Sequence, residues 1–245
     1  VLPKKVVTND MLAGFLDTSD EWIRTRTGVV SRHVISDERL EDMAIEAAKM
    51  ALDNAGMKAE ELDFIICSNV VNEYVTPQLS CIIQGGIGAT CPCIDINCAC
   101  AGFIYAVEIA ESFYQAGKVR NVLVVSAEEP TRMTDWNDRR TCVLFGDGAG
   151  AAVLAPGDNI KCVKLSASSA TDKLWQYRLL HPTPYITKKE TDVPLQMKGQ
   201  DVFKFAVKAA SKDISRVLEE TGHGADDVDH YLLHQANIRI INAIQ

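Results

Sequence analysis

Apolar residues recur along this chain with two alternating periods. Between Glu41 and Ala55 they fall at Met43, Ala44, Ala47, Ala48, Ala51 and Leu52, one face of a helix, and Gly56 supplies a stop signal. Leu62 to Cys67 is a short unbroken apolar run of the kind that makes a buried strand. Ala101 to Ala116 predicts a second helix, with Phe103, Val107, Ala110 and Tyr114 along one side and Gly117 closing it. Ile94 to Asn97, Val122 to Ser126, Gly150 to Leu154 and Tyr231 to His234 predict further strands. Strands alternating with helices predict an α/β fold whose sheet is covered.

An internal repeat sharpens that expectation. Residues 51–69 lie on residues 217–235 without a gap, with Leu52/Leu218, Gly56/Gly222, Ala59/Ala225 and Asp63/Asp229 identical and Glu60/Asp226, Glu61/Asp227 and Leu62/Val228 conservative. Both copies spell helix end, glycine stop, acidic turn, buried strand. This is the pattern of a duplicated fold whose second copy starts near residue 160. Any two αβ units share some of it.

Composition narrows the function. The 245 residues are 47% apolar and 24% charged, which is globular composition and excludes wholesale disorder. The net charge of −8 argues against sequence-independent nucleic-acid binding, whose energy comes from cations neutralising phosphates. The longest charge-free stretch, Tyr74 to Ile94, is broken by Pro77, Gly85, Gly86, Gly88 and Pro92, so no membrane span is expected. No signal peptide follows Lys4 and Lys5, and eight cysteines in such a length read as reduced thiols of a cytoplasmic protein. The chain starts at Val1 and stops at Gln245 within an apolar run, as if cut at both ends.

Five constellations carry candidate chemistry. Cys100 follows a predicted strand and opens a predicted helix in Asn97-Cys-Ala-Cys-Ala-Gly-Phe103, where the helix dipole favours a nucleophilic thiolate and Gly102 leaves room for an acyl chain. A structural buried cysteine is the plainer alternative. His234 ends the Tyr231 strand, where a histidine able to meet Cys100 would complete a Cys–His nucleophilic pair. The cluster Cys91, Cys93, Cys98 and Cys100 has C-x-C spacing, which on a strand spreads thiols about 6–7 Å apart and suits a metal poorly. Gly146-Asp-Gly-Ala-Gly150 runs on into a strand, not a helix, so its glycines predict a tight turn and not a dinucleotide site. Finally, Lys204, Lys208, Lys212 and Arg216 make a basic stripe on one predicted helix, either a solvated face or a surface for an anionic partner.

Several motifs together resemble one family. Asp17-Thr-Ser-Asp-Glu-Trp-Ile-Arg-Thr-Arg-Thr-Gly28 with Arg32-His33, Ala99-Cys-Ala-Gly-Phe103, Phe145-Gly-Asp-Gly-Ala-Gly-Ala-Ala-Val-Leu154 and His234-Gln-Ala-Asn237 followed by Arg239-Ile240 resemble β-ketoacyl-acyl-carrier-protein synthase III, a condensing enzyme of the thiolase superfamily. The resemblance implies a thiolase-like fold of two duplicated halves in an αβαβα sandwich, truncated at both ends here. The halves would be residues 1–158, with the nucleophile, and 159–245, the beginning of the second.

It also implies roles. Cys100 would take an acyl group from acyl-CoA, and His234 would help decarboxylate malonyl-acyl-carrier protein and stabilise the enolate. Trp22 and Arg139 would sandwich the adenine of CoA, with Thr18 and Arg26 beside the nucleotide. Phe203, Ala236 and Asn237 would line the pantetheine channel, and Lys204, Lys208, Lys212 and Arg239 would dock the acidic carrier protein. Thr76 falls where the dimer partner caps the acyl pocket, and its small side chain predicts acceptance of medium or long primers. The family's catalytic asparagine falls beyond Gln245. The resemblance implies a homodimer without metal or cofactor, acting on neither nucleic acid nor membrane. Its rivals are a related condensing enzyme of secondary metabolism, a catalytically silent truncated paralogue acting as a binding partner, and a zinc-binding module.

Overall fold

The computed structural model describes residues 1–178, 183–185 and 193–244. In chain order its elements are β1 (Lys5–Thr8), α1 (Asn9–Ala13), α2 (Asp20–Thr27), β2 (Ser31–Val34), α3 (Leu40–Ala55), β3 (Phe64–Ser68), α4 (Leu79–Ile87), β4 (Cys93–Ile96), α5 (Gly102–Gln115), β5 (Val122–Glu128), β6 (Gly148–Leu154), β7 (Leu174–Trp175), β8 (Gln196–Met197), α6 (Gly199–Thr221) and α7 (Ile238–Ile244). The central sheet has the order β4-β3-β5-β6. Strands β4, β3 and β5 run parallel and β6 antiparallel to β5.

Alternation along the strands builds two cores. Ile65, Cys67, Leu123 and Val125 point to one face, where Met43, Ala44, Ala47, Ala48 and Ala51 of α3 and Leu79 and Ile83 of α4 cover them. Ile66, Val122 and Val124 point to the other, against Ala106 and Ala110 of α5. A strand buried on both faces reads as an unbroken apolar run, which is why Leu62 to Cys67 shows no polar alternation. A third cluster joins Leu12, Leu16 and Ile23 to Cys142 and Val143, fixing α1 and α2 to the segment before β6.

The repeat is visible in local geometry. Helix α3 ends at Gly56 with φ +61° and α6 at Gly222 with φ +69°, conformations that glycine adopts without steric cost. Each is followed by a 3-10 turn, Ala59–Glu61 and Ala225–Asp227. Each turn is closed by its own carboxylate: Lys58 N donates to Glu61 Oε2 at 2.8 Å, and Gly224 N to Asp227 Oδ2 at 2.7 Å. After the turns the copies part. The first enters β3, but Tyr231 to His234 forms no strand, correcting the expectation from sequence. No strand among the described residues lies beside it to complete a ladder, and Leu232 is 96% exposed.

The glycines of 146–150 also act differently from expectation. None has a left-handed φ. A Cβ on Gly146 would sit 3.0 Å from the His33 carbonyl oxygen and 3.1 Å from Arg32 Cβ, so this glycine permits close approach to β2. Asp147 beside it is buried and accepts from Ile35 N at 2.8 Å, Thr131 N at 3.1 Å and Thr131 Oγ1 at 2.7 Å.

Candidate active site

Parallel strands collect their carboxyl ends on one side of a sheet, where open α/β sheets form their ligand crevices. Here those ends are Ser68 of β3, Glu128 of β5 and the segment after β4 that carries Cys100. Cys100 sits in the 3-10 turn Ala99–Ala101, which runs directly into α5. Ala99 has φ +47°, a left-handed conformation that costs a non-glycine residue about 1–2 kcal/mol. Its N–H donates to Asn97 Oδ1 at 3.3 Å. Strain of this kind at a strand-to-helix junction turns one side chain outward, and Cys100 is exposed.

Gly102 serves packing, not acyl-chain entry as the sequence suggests. A Cβ there would lie 1.8 Å from Ser68 Oγ, so the start of α5 rests directly on the end of β3. The acidity of Cys100 also departs from expectation. Although the residue reaches solvent, local burial pushes its thiol up, and the Glu128 carboxylate adds to that. Desolvation and a nearby negative charge outweigh the helix dipole.

Glu128 is the group that sequence reasoning missed. Burial pushes its carboxyl up to about 7, and Val70 N donates to Oε2 at 3.0 Å while Oε1 is buried without a partner. The available signal was an acid closing the apolar run Val122 to Ala127. Asn69 secures the same corner, donating to Ala127 O at 2.6 Å and Val71 O at 3.0 Å.

A second group of sequence candidates also converges. Arg26 and Arg139 lie over the Trp22 ring, their guanidinium carbons 4.4 and 4.9 Å from its centroid. Arg26 follows Trp22 by one turn of α2, whereas Arg139 arrives from the loop before β6, held by the Asp17 carbonyl and its carboxylate. An aromatic ring placed between Trp22 and Arg139 needs about 7–8 Å, two contact distances, so Arg139 has to swing outward to admit one. The Thr18 hydroxyl, next to Asp17 on the loop between α1 and α2, is buried without a partner.

The His234 segment is placed by its neighbours. Asn237 Oδ1 accepts from Arg239 N at 2.8 Å and caps α7, and Gly28 at the end of α2 lies against Ile238, to which a Cβ would come within 3.1 Å. Ala236 and Asn237 are therefore near the Trp22 helix. His234 is solvent-accessible, yet local burial lowers its pKa, which keeps the imidazole neutral at pH 7. No hydrogen bond joins it to Cys100 among the described residues. Phe203 is half-buried on α6; Lys204, Lys208, Lys212 and Arg216 are exposed on that helix, and α7, packed on α6, exposes Arg239. Arg216 pairs with Glu220 at 3.0 Å, while no ion pair among the described residues takes the three lysines. Thr76 is exposed on the loop before α4.

Residues 94–172 match the family model of 3-oxoacyl-[acyl-carrier-protein] synthase III. The chain is 42% identical to the beta-ketoacyl-[acyl-carrier-protein] synthase III of Clostridium perfringens, over 99% of this chain and 76% of that protein. The chain belongs to the β-ketoacyl-acyl-carrier-protein synthase III family. Its fold agrees: the synthase III of Aquifex aeolicus VF5 superposes with TM-score 0.89 at 40% identity, covering 99% of this chain and 76% of that one. The priming β-ketosynthase of the R1128 polyketide biosynthetic pathway superposes with TM-score 0.86 at 33% identity, over 100% and 74%. The synthase III fold is thiolase-like, and in this chain the covered sheet of its first half carries Cys100. Among the described residues no helix is long and apolar enough to cross a membrane.

Proposed function

We propose that this chain is the priming condensing enzyme of fatty acid synthesis, with Cys100 as its nucleophile. The supporting observation is the placement of Cys100 at the strained junction of β4 and α5, on the carboxyl side of the parallel strands. Cys100 Sγ bonds to the acyl carbon of acyl-CoA as the carbon–sulfur bond to CoA breaks, and the thiol proton ends on the departing CoA. Malonyl-acyl-carrier protein then loses carbon dioxide, and the electron pair released forms a thioester enolate. That carbanion attacks the acyl-Cys100 carbonyl, a carbon–carbon bond forms, Cys100 is freed, and 3-oxoacyl-carrier protein leaves. A neutral His234 suits the second half-reaction, since an imidazole N–H donates to the enolate oxygen without a net charge to desolvate.

The remaining assignments follow the same reading. Trp22 and Arg139 hold the adenine of CoA, Thr18 and Arg26 sit beside the nucleotide with Arg26 suited to phosphate, and Phe203, Ala236 and Asn237 line the channel of the pantetheine arm. Lys204, Lys208, Lys212 and Arg239 receive the acidic carrier protein. The enzyme works in the cytoplasm as a homodimer without cofactor, built from units 1–158 and 159–245, and Thr76 leaves its pocket open to medium or long primers.

The test is a reconstituted reaction of acyl-CoA with malonyl-acyl-carrier protein. Formation of 3-oxoacyl-carrier protein with release of carbon dioxide is expected, with activity retained as the primer lengthens. Absence of that product overturns the function, and strict preference for acetyl-CoA overturns the role given to Thr76. The likeness to the R1128 ketosynthase supports a second reading, a condensing enzyme of secondary metabolism. A donor panel separates the two.

A further inference from the structure

Two cysteines outside the proposed chemistry meet face to face. Cys81 on α4 and Cys93 on β4 place their sulfurs 3.3 Å apart, and both residues are half-buried. The elements that carry them are pinned together on either side of the pair. Asp95 of β4 accepts from Leu79 N at 2.7 Å and Ser80 N at 2.8 Å, capping α4. Gln78, just before α4, donates to Cys93 O at 3.0 Å and accepts from Asp95 N at 3.3 Å. The same amide nitrogen lies 3.5 Å from Cys81 Sγ and 3.8 Å from Cys93 Sγ. A disulfide bond is about 2.05 Å long, so closure asks for a shift of about 1.3 Å, within reach of side-chain rotation.

We propose that Cys81 and Cys93 are a modification site, forming an intrachain disulfide by exchange with a low-molecular-weight disulfide such as oxidised glutathione. The thiolate of one cysteine attacks a glutathione sulfur, forming a mixed disulfide and releasing one glutathione thiolate. The second cysteine then attacks the protein sulfur of that mixed disulfide, closing the Cys81–Cys93 bond and releasing the other glutathione. The two protein thiols lose two electrons and two protons, and oxidised glutathione is reduced to two thiols. The new bond joins the helix that follows the Thr76 loop to the strand that leads into the Cys100 turn, so oxidation ties the two sides of the site together.

The experiment treats the chain carrying Cys100→Ala with oxidised glutathione, so that the most exposed thiol takes no part. Remaining thiols are blocked, the protein is cleaved at the isoleucines between residues 81 and 93, and the products are mapped by mass. An intrachain link between Cys81 and Cys93, with the mass of the chain lowered by about 2 Da, is the expected result. It should vanish in both Cys81→Ser and Cys93→Ser and persist in Cys91→Ser. Glutathione adducts alone, a link between two chains, or a link that Cys91→Ser abolishes would each overturn the proposal. So would a full set of free thiols after treatment.

Discussion

The two copies of the internal repeat carry nearly the same local instructions and reach different degrees of burial. Helix α3 buries eight residues, whereas α6, longer by seven positions, buries none. None of the described residues after position 149 is fully buried. Yet both helices end on a left-handed glycine and both enter a 3-10 turn closed by an acid. Turn geometry is local, written in glycine and carboxylate. A strand needs a neighbour, and β3 has two while Tyr231 to His234 has none among the described residues.

The contrast breaks first in the core. Leu123→Ala on β5, where the leucine is 0% exposed, is expected to cost about 2–5 kcal/mol. Leu218→Ala on half-buried α6 should cost about 1 kcal/mol or less, both read by denaturant unfolding. Equal losses would refute the difference between the copies.

A second test uses pH. Folded Glu128 keeps its proton up to about pH 7, whereas the unfolded chain releases it near the ordinary value of 4.5. Stability from this group is therefore full below about pH 4.5 and is lost as pH rises through 7, by up to about 3 kcal/mol at 1.36 kcal/mol per unit. Glu128→Gln should remove that slope and lower the pKa of Cys100, measured by the pH profile of its alkylation. An unchanged profile would separate Glu128 from the nucleophile.

Gly102→Ala comes next, with an expected loss of about 1–3 kcal/mol from overpacking against Ser68, partly restored by adding Ser68→Gly. The last comparison is Gly56→Ala against Gly222→Ala. No atom lies within 4 Å of either Cβ position, so each should cost only the about 1–2 kcal/mol of a left-handed alanine, alike in both copies. Unequal costs would show that the shared turn geometry hides a difference in packing.

These cases also mark what a sequence displays. Helices α3 and α5, strands β3 to β6 and the glycine stops were legible because periodicity and left-handed glycines are local. Cys100 was legible as a strand-to-helix junction. Its acidity was not, since burial in the folded junction raises the thiol's pKa and the added charge comes from Glu128 on another strand. Gly102 and Gly146 looked like open space and a turn, but Ser68 and His33 explain them, and both are distant in sequence. Trp22, Arg26 and Arg139 were found through motifs, and only the fold brings Arg139 across to the indole.

The most direct measurement is the site of acylation. On incubation with acyl-CoA, the chain should gain one acyl group on Cys100, release one CoA, and lose the label when malonyl-acyl-carrier protein is added. Cys100→Ala should abolish acylation. Label on another residue, or label that persists in Cys100→Ala, would contradict the assignment of Cys100 as nucleophile.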